Sequence, residues 1–301
     1  MVRCTVCDLK FAKNDFDKLA NHFIELSEQS ETLHISWLNR NLTNKKVDSE
    51  ILSNLFKNLF DYSSIGLNHW IKAKFIDKFY GENLHPFIEK LQHPSRTTLL
   101  GYVLEHQHFL KQWVRSCAFI LAKSNKVDVI NYECDNIQSE WGGHNKCGLI
   151  PHYELLIRMG ESQGLDREKI INTQPLKETK KAIEFWDNVA TKYHWVETML
   201  AMHGLELIAN KNLREEGARK HYFNPEILES DEITNETKAF LKEGYEADIH
   251  HAEEAIKLVE KYSKEFDIVD DVQSTFLKSI EIFDNYLMSR LKRAEEYENK
   301  Y

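Results

Sequence analysis

The stretch "EGYEADIHHAEEA", residues 243–255, decides how the rest of the chain is read. It is rich in Ala and Glu, and no Gly or Pro occurs between Tyr245 and Ser263, so a helix is expected. At roughly 100° per residue, Leu241, Tyr245, Ala252, Ala255 and Val259 form one apolar stripe. Asp248 falls near the centre of that stripe and His251 at its edge, while Glu246, His250, Glu253 and Glu254 point away. A carboxylate on a core-facing stripe is costly unless it is paired or bound to a metal. Two arrangements would satisfy Asp248: a buried hydrogen bond to His251 at i, i+3, or a metal whose other ligands come from other helices.

The surrounding chain favours helices throughout. Its 301 residues include only 11 Gly and 5 Pro, and long segments carry helical spacing. Helices are expected at about 14–31, 48–61, 65–79, 83–92, 96–123, 127–139, 151–163, 176–191, 194–220, 235–263 and 267–298. Gly81-Glu82-Asn83, His93-Pro94-Ser95, Gly142-Gly143 and Asn224-Pro225 mark gaps between them. The expected fold class is all-α, a helical bundle over 46–301 with a small appendage over 1–45. A net charge of −9 argues against a broad nucleic-acid surface. No apolar run is long enough to span a membrane, and the N-terminus lacks a signal-peptide core, so a cytoplasmic protein is expected. Five cysteines in so large a chain do not suggest a disulfide framework.

The appendage opens with Cys4-Thr5-Val6-Cys7, followed by Phe11, Leu19 and His22. This resembles a C2H2 zinc finger, with two departures. Fourteen residues separate Cys7 from His22, and eleven separate His22 from His34. The usual intervals are roughly twelve and three to five. One structural zinc on Cys4, Cys7, His22 and His34 is the expectation, stapling the module to the bundle. Acidic residues on its helix (Asp15, Asp17, Glu25, Glu28) make DNA reading an unlikely task for it.

The bundle offers further carboxylate and imidazole groups. Glu105 and His108 stand at i, i+3, as do His203 and Glu206; Glu140 ends one helical stretch and His152 opens the next. Bundles hold two irons with such Glu and Glu-x-x-His ligands. Periodicity does not decide which way Glu105 faces, because its helix is apolar over much of its circumference. The motif order is also familiar. "ENLHPFIEKLQ" followed by "LLGYVLEHQHFLKQWVRSCAFILA" resembles the opening of heme-oxygenase-like proteins related to thiaminase-type and PqqC-type enzymes. "EWGG", "PHYELLIRMGESQGLDREKI", "MLAMHGLELIA" and "GYEADIHHAEEA" resemble successive motifs of their metal-binding branch, the heme-oxygenase-like di-iron oxidases. The likeness spans roughly residues 80 to 290.

That resemblance implies iron ligands Glu105, Glu140, His152, Glu206, Asp248 and His251, for two iron ions. The final motif, His-x3-Asp-x2-His, has Gly244 in place of its first histidine, so one ion would lack an imidazole. His108 and His203 are candidate replacements or supporting partners, while His106, His144 and His250 are read as ordinary polar residues. The resemblance implies O2 activation followed by N-oxygenation, oxidative C–C cleavage or desaturation of a small substrate, with a homodimer as the plausible assembly. Aromatics such as Tyr102, Phe109, Trp113, Trp141 and Tyr245 could line a pocket or simply fill the core. Two alternatives stay open: a metal-free PqqC-like or thiaminase-like enzyme, with Cys117, Cys134 or Cys147 as the thiol, and a non-catalytic zinc-containing interaction protein.

Overall fold

The computed structural model describes residues 1–142 and 150–298, with the backbone alone for 246–250. A two-stranded ribbon opens the chain: β1 (Val2–Arg3) pairs antiparallel with β2 (Lys10–Phe11), Val2 opposite Phe11. Asp8 takes a left-handed φ of 64° in the turn between them. Three helices follow, α1 (Phe16–Glu28), α2 (Thr32–Asn41) and α3 (Ser49–Phe60). Ser30 at φ 60° turns the chain after α1, and the Glu31 carboxylate starts α2 by accepting from Leu33 N and His34 N. Phe23 packs against Trp37 and Phe56, with ring centroids 5.3 and 5.2 Å away. The aromatic core of the N-terminal module therefore includes α3, beyond the boundary expected at residue 45.

The bundle comprises α4 (Gly66–Phe79), α5 (Pro86–Leu91), α6 (Arg96–Lys123), α7 (Val127–Ile137), α8 (His152–Ser162), α9 (Arg167–Asn172), α10 (Lys177–Lys192), α11 (Trp195–His203), α12 (Asn235–Glu265) and α13 (Val269–Glu298). Ser95 and Thr234 cap α6 and α12 by accepting from the backbone N–H three residues on. Helix α6 is apolar nearly all round, so it lies inside, covered by α13, α10, α11, α7 and α8. Its Gly101 lets α13 come close: a Cβ there would stand 2.1 Å from the Arg290 carbonyl oxygen. Every residue of α11 is buried. On α12, Leu241, Ala252, Ala255 and Val259 are buried and Glu254 is exposed, which is the stripe read from the sequence. No helix is long and apolar enough to cross a membrane among the described residues.

The N-terminal module is clamped onto α13. Arg3, itself buried, bridges Glu197 on α11 at 2.7 Å and Asp271 on α13 at 3.0 Å. The Met1 amino group meets Asp271 at 2.6 Å, and Lys278 meets Asp8 at 2.6 Å.

One expected helix divides. The 194–220 segment is helical only to His203; 3-10 turns follow over Gly204–Ala209 and Lys211–Arg214. Gly204 packs tightly, its missing Cβ 3.0 Å from Phe276. Asn210 accepts from Asn212 N and starts a new turn, which competes with helix continuation. The break leaves His203 and Glu206 on consecutive tight turns facing the bundle interior.

Candidate metal centre

Two groups of ligand-type residues arise, one in the module and one inside the bundle. In the module, the ligand atoms of Cys4, Cys7, His22 and His34 all lie within 4.8 Å of one another. Cys4 Sγ stands 3.3 Å from His34 Nε2, and Cys7 Sγ stands 3.3 Å from His22 Nε2. Zinc–sulfur and zinc–nitrogen bonds set at tetrahedral angles give an S···N edge of about 3.5 Å, so the group fits that ion. The long interval to His34 is explained by the chain leaving α1 and returning on the first turn of α2. Glu31 holds His34 Nδ1 at 2.5 Å, which turns Nε2 towards the sulfur, as carboxylates commonly orient metal-bound imidazoles. Burial, with the neighbouring Cys7 thiol adding to it, pushes the Cys4 thiol up to about 12, and a cation among the four groups would reverse that preference.

Inside the bundle lies a cavity of about 70 Å³, walled by Phe109, Trp113, Phe240, Tyr245 and other apolar groups. Glu140, His152, Glu206 and Gly244 all face it. Glu140 sits on a π-helical turn, Gln138–Gly142, at the end of α7, a widened geometry frequent at functional sites. His152 opens α8 and its Nδ1 meets the buried Glu243 carboxylate of α12. Glu206 comes from the turn after α11. Glu140 Oε2 and Glu206 Oε2 are both enclosed and meet no hydrogen-bond donor among the described residues. Burial raises the Glu140 carboxyl to about 7; His152 and His203 pull the other way, while Glu243 and Glu206 add to the rise. Carboxylates crowded without donors are a costly arrangement that a bound cation would relieve.

Behind Glu206 stands a second, closed network. His203 Nε2 meets the two Glu133 oxygens at 3.0 and 3.2 Å, and its Nδ1 lies 3.0 Å from the Tyr132 hydroxyl and 3.6 Å from Glu206 Oε1. Burial opposes charge on His203, but Glu133 and then Glu206 raise it to about 10, so it stands as an imidazolium. Cys117, fully buried, completes a compact group with Glu133 and His203. Glu133 was not among the expected residues. Its spacing could have revealed it: seven residues before Glu140 is two helical turns, one face.

Glu105, also expected as a ligand, falls elsewhere. Glu105 is fully buried but points at α10 and α13: Oε1 accepts from Arg293 Nε at 2.7 Å, and Oε2 from Leu176 N at 3.1 Å and from the Thr179 hydroxyl. Both oxygens are used, and Glu105 does not reach the cavity. Its neighbour His106, read as an ordinary polar residue, lines the cavity instead. One helical step of about 100° separates the two faces, and a helix apolar over much of its circumference gave no pattern to orient them. His108 also lies off the cavity, its pKa lowered to about 4, chiefly by burial. The His251 carbonyl accepts from the Tyr132 hydroxyl at 3.0 Å. The side chains of Asp248 and His250, together with His144 and Cys147, lie outside the described residues. Tyr102, Phe109, Trp113 and Tyr245 line the cavity, while Trp141 is exposed and stacks on Tyr153.

Comparisons agree with this architecture. A crystal structure of a domain of unknown function with a heme oxygenase-like fold from Shewanella denitrificans OS217 superposes with TM-score 0.58 at 17% identity, covering 84% of this chain and 96% of that one. A TenA family transcription regulator from Silicibacter sp. TM1040 gives TM-score 0.55 at 16% identity, covering 73% and 94%. At such identities the likeness establishes the heme oxygenase-like fold alone. No curated protein matches the sequence. Residues 1–61 match the C2H2 type zinc-finger (1 copy), which agrees with a module running through α3. Residues 70–293 match the TENA/THI-4/PQQC family, so the chain belongs to that family and carries a C2H2-type zinc-finger region ahead of its heme oxygenase-like bundle.

Proposed function

We propose that this chain is an iron-dependent oxygenase or oxidase acting on a small substrate held in the bundle cavity. The observation that carries the reading is that Glu140, His152 and Glu206 all line the cavity, with two enclosed carboxylate oxygens that meet no donor among the described residues. Carboxylate and imidazole ligands suit ferrous iron. Glu140, His152 and Glu206 would hold it, with Asp248 and His251 of α12 as the further ligands that the family likeness implies. When bound, iron supplies the electrons needed to reduce O2.

The protein's own groups hold and shield that site. Glu243 fixes the His152 ring through Nδ1. The Glu133–His203–Tyr132 network presents a cation to Glu206 Oε1 and so fixes the orientation of that carboxylate. Gly244 puts no side chain where the related motif has a histidine, which leaves space in the cavity wall for substrate. Apolar and aromatic walls exclude bulk water from the reacting atoms. The thiaminase-like alternative finds no support among the described thiols. Cys117 does not line the cavity and burial holds its thiol protonated, and Cys134 is exposed elsewhere.

The test is O2 consumption by protein loaded anaerobically with Fe(II). The wild type should consume O2 faster than the same free Fe(II), and His152→Ala should fall to the free-ion rate. Equal rates for wild type and free iron would remove the proposal.

A further inference from the structure

Arg290 on α13 is 1% exposed and lines the cavity. Its guanidinium lies over the rings of Tyr102, Tyr286 and Phe87, at 4.2, 4.7 and 5.0 Å from their centroids. Nη1 donates to the Tyr222 hydroxyl at 2.8 Å, and Nη2 donates to the Tyr286 hydroxyl and His106 Nδ1, both at 2.9 Å. A guanidinium carries five N–H donors. These bonds take three of them, and Nε is enclosed with no acceptor among the described residues. None of these partners is a carboxylate. Among the described residues no carboxylate forms an ion pair with Arg290; Glu105, next to His106, is taken by Arg293.

A buried cation without a counter-charge is a costly thing to keep where an apolar side chain would pack. The missing charge is most simply brought by what enters the cavity. We infer that Arg290 anchors a carboxylate, and that the cavity takes small apolar molecules bearing one. A single guanidinium matches a monoanionic carboxylate in charge, whereas a phosphate dianion would leave one charge unmatched. The His106 and His152 rings lie 6.4 Å apart, so a molecule held at Arg290 runs along the wall bearing His152, Glu140 and Glu206. This assignment rests on the reading above that the cavity is the substrate site.

The experiment is titration calorimetry on the full chain purified without added iron. The probes are benzoate and hexanoate, each against its uncharged amide, in wild type and Arg290→Gln. The acids should bind wild type about 10- to 100-fold more tightly than the amides, the range expected of hydrogen bonds to a charged group. In Arg290→Gln the preference should fall to near unity while any amide binding persists. Amides binding wild type as tightly as acids would overturn the inference, as would wild type binding none of the four probes. A folded Arg290→Gln that keeps the preference would overturn it too. If that variant does not fold, the wild-type comparison decides alone. Because the measurement uses no iron, failure of the oxygenase reading would leave its outcome unchanged, and equal acid and amide affinities would leave the iron ligands untouched.

Discussion

Gly101→Ala strikes the point where the two main helices of the bundle touch. The added Cβ would stand 2.1 Å from the Arg290 carbonyl oxygen, 2.8 Å from Ala294 N and 3.2 Å from Ala294 Cβ. The first two obstacles are backbone, so no rotamer change clears them. Separations below 3.0 Å are essentially never seen for a real Cβ, and α13 would have to retreat by about 0.9 Å. A gap of that size forfeits about a quarter to a half of the dispersion attraction along the opened seam. Overpacking of this kind costs about 3 to 4 kcal/mol, and the better helix propensity of Ala returns about 1. A net loss of about 2 to 3 kcal/mol lowers the melting temperature of a chain this size by roughly 3–5 °C. Gly66→Ala is the control: it also alters a glycine, but its Cβ meets nothing within 4 Å and pays only for a left-handed φ of 80°, about 1 kcal/mol. Thermal unfolding followed by circular dichroism compares the two. A Gly101→Ala protein as stable as wild type, or more stable than Gly66→Ala, would refute the close approach of α6 and α13.

Other variants probe separate parts of the account. The native protein should contain one zinc per chain by elemental analysis, and Cys7→Ser should lose it; a zinc-free native protein would overturn the module's assignment. Arg3→Met leaves Glu197 buried without its cation and should cost about 3 kcal/mol or more, measured by denaturant unfolding. A change under about 0.5 kcal/mol would mean that the module is not clamped to the bundle as described. Glu105→Gln weakens the contact with Arg293 and should lower stability by about 1 to 3 kcal/mol while leaving bound iron unchanged; loss of iron there would return Glu105 to the ligand set.

Much of this fold was legible because its signals are local. Helical periodicity and breakers such as His93-Pro94-Ser95 and Asn224-Pro225 placed most helices within a few residues. The module's Cys4, Cys7, His22 and His34 group was legible as residue types. How His34 reaches them was not, because it depends on a turn at Ser30 that starts a second helix. Orientation inside the bundle was the harder matter. Glu105 and His106 differ by one step on a stretch, residues 98–107, that is buried all round, and only its neighbours decide which faces α10 and which the cavity. The division of the 194–220 segment was hidden for a similar reason. Gly204 tightens against Phe276, a residue far along the chain. Arg290 gave no local signal, since its want of an ion-paired carboxylate among the described residues exists only after α6 and α13 have packed.

Bound iron per chain, measured after anaerobic Fe(II) loading and desalting, tests the central claim most directly. The comparison is wild type against Glu140→Gln, Glu206→Gln and Glu105→Gln, with helix content checked by circular dichroism. The account predicts iron in wild type and Glu105→Gln, and its loss in folded Glu140→Gln and Glu206→Gln. Equal iron in all four proteins, or none in the wild type, would contradict it.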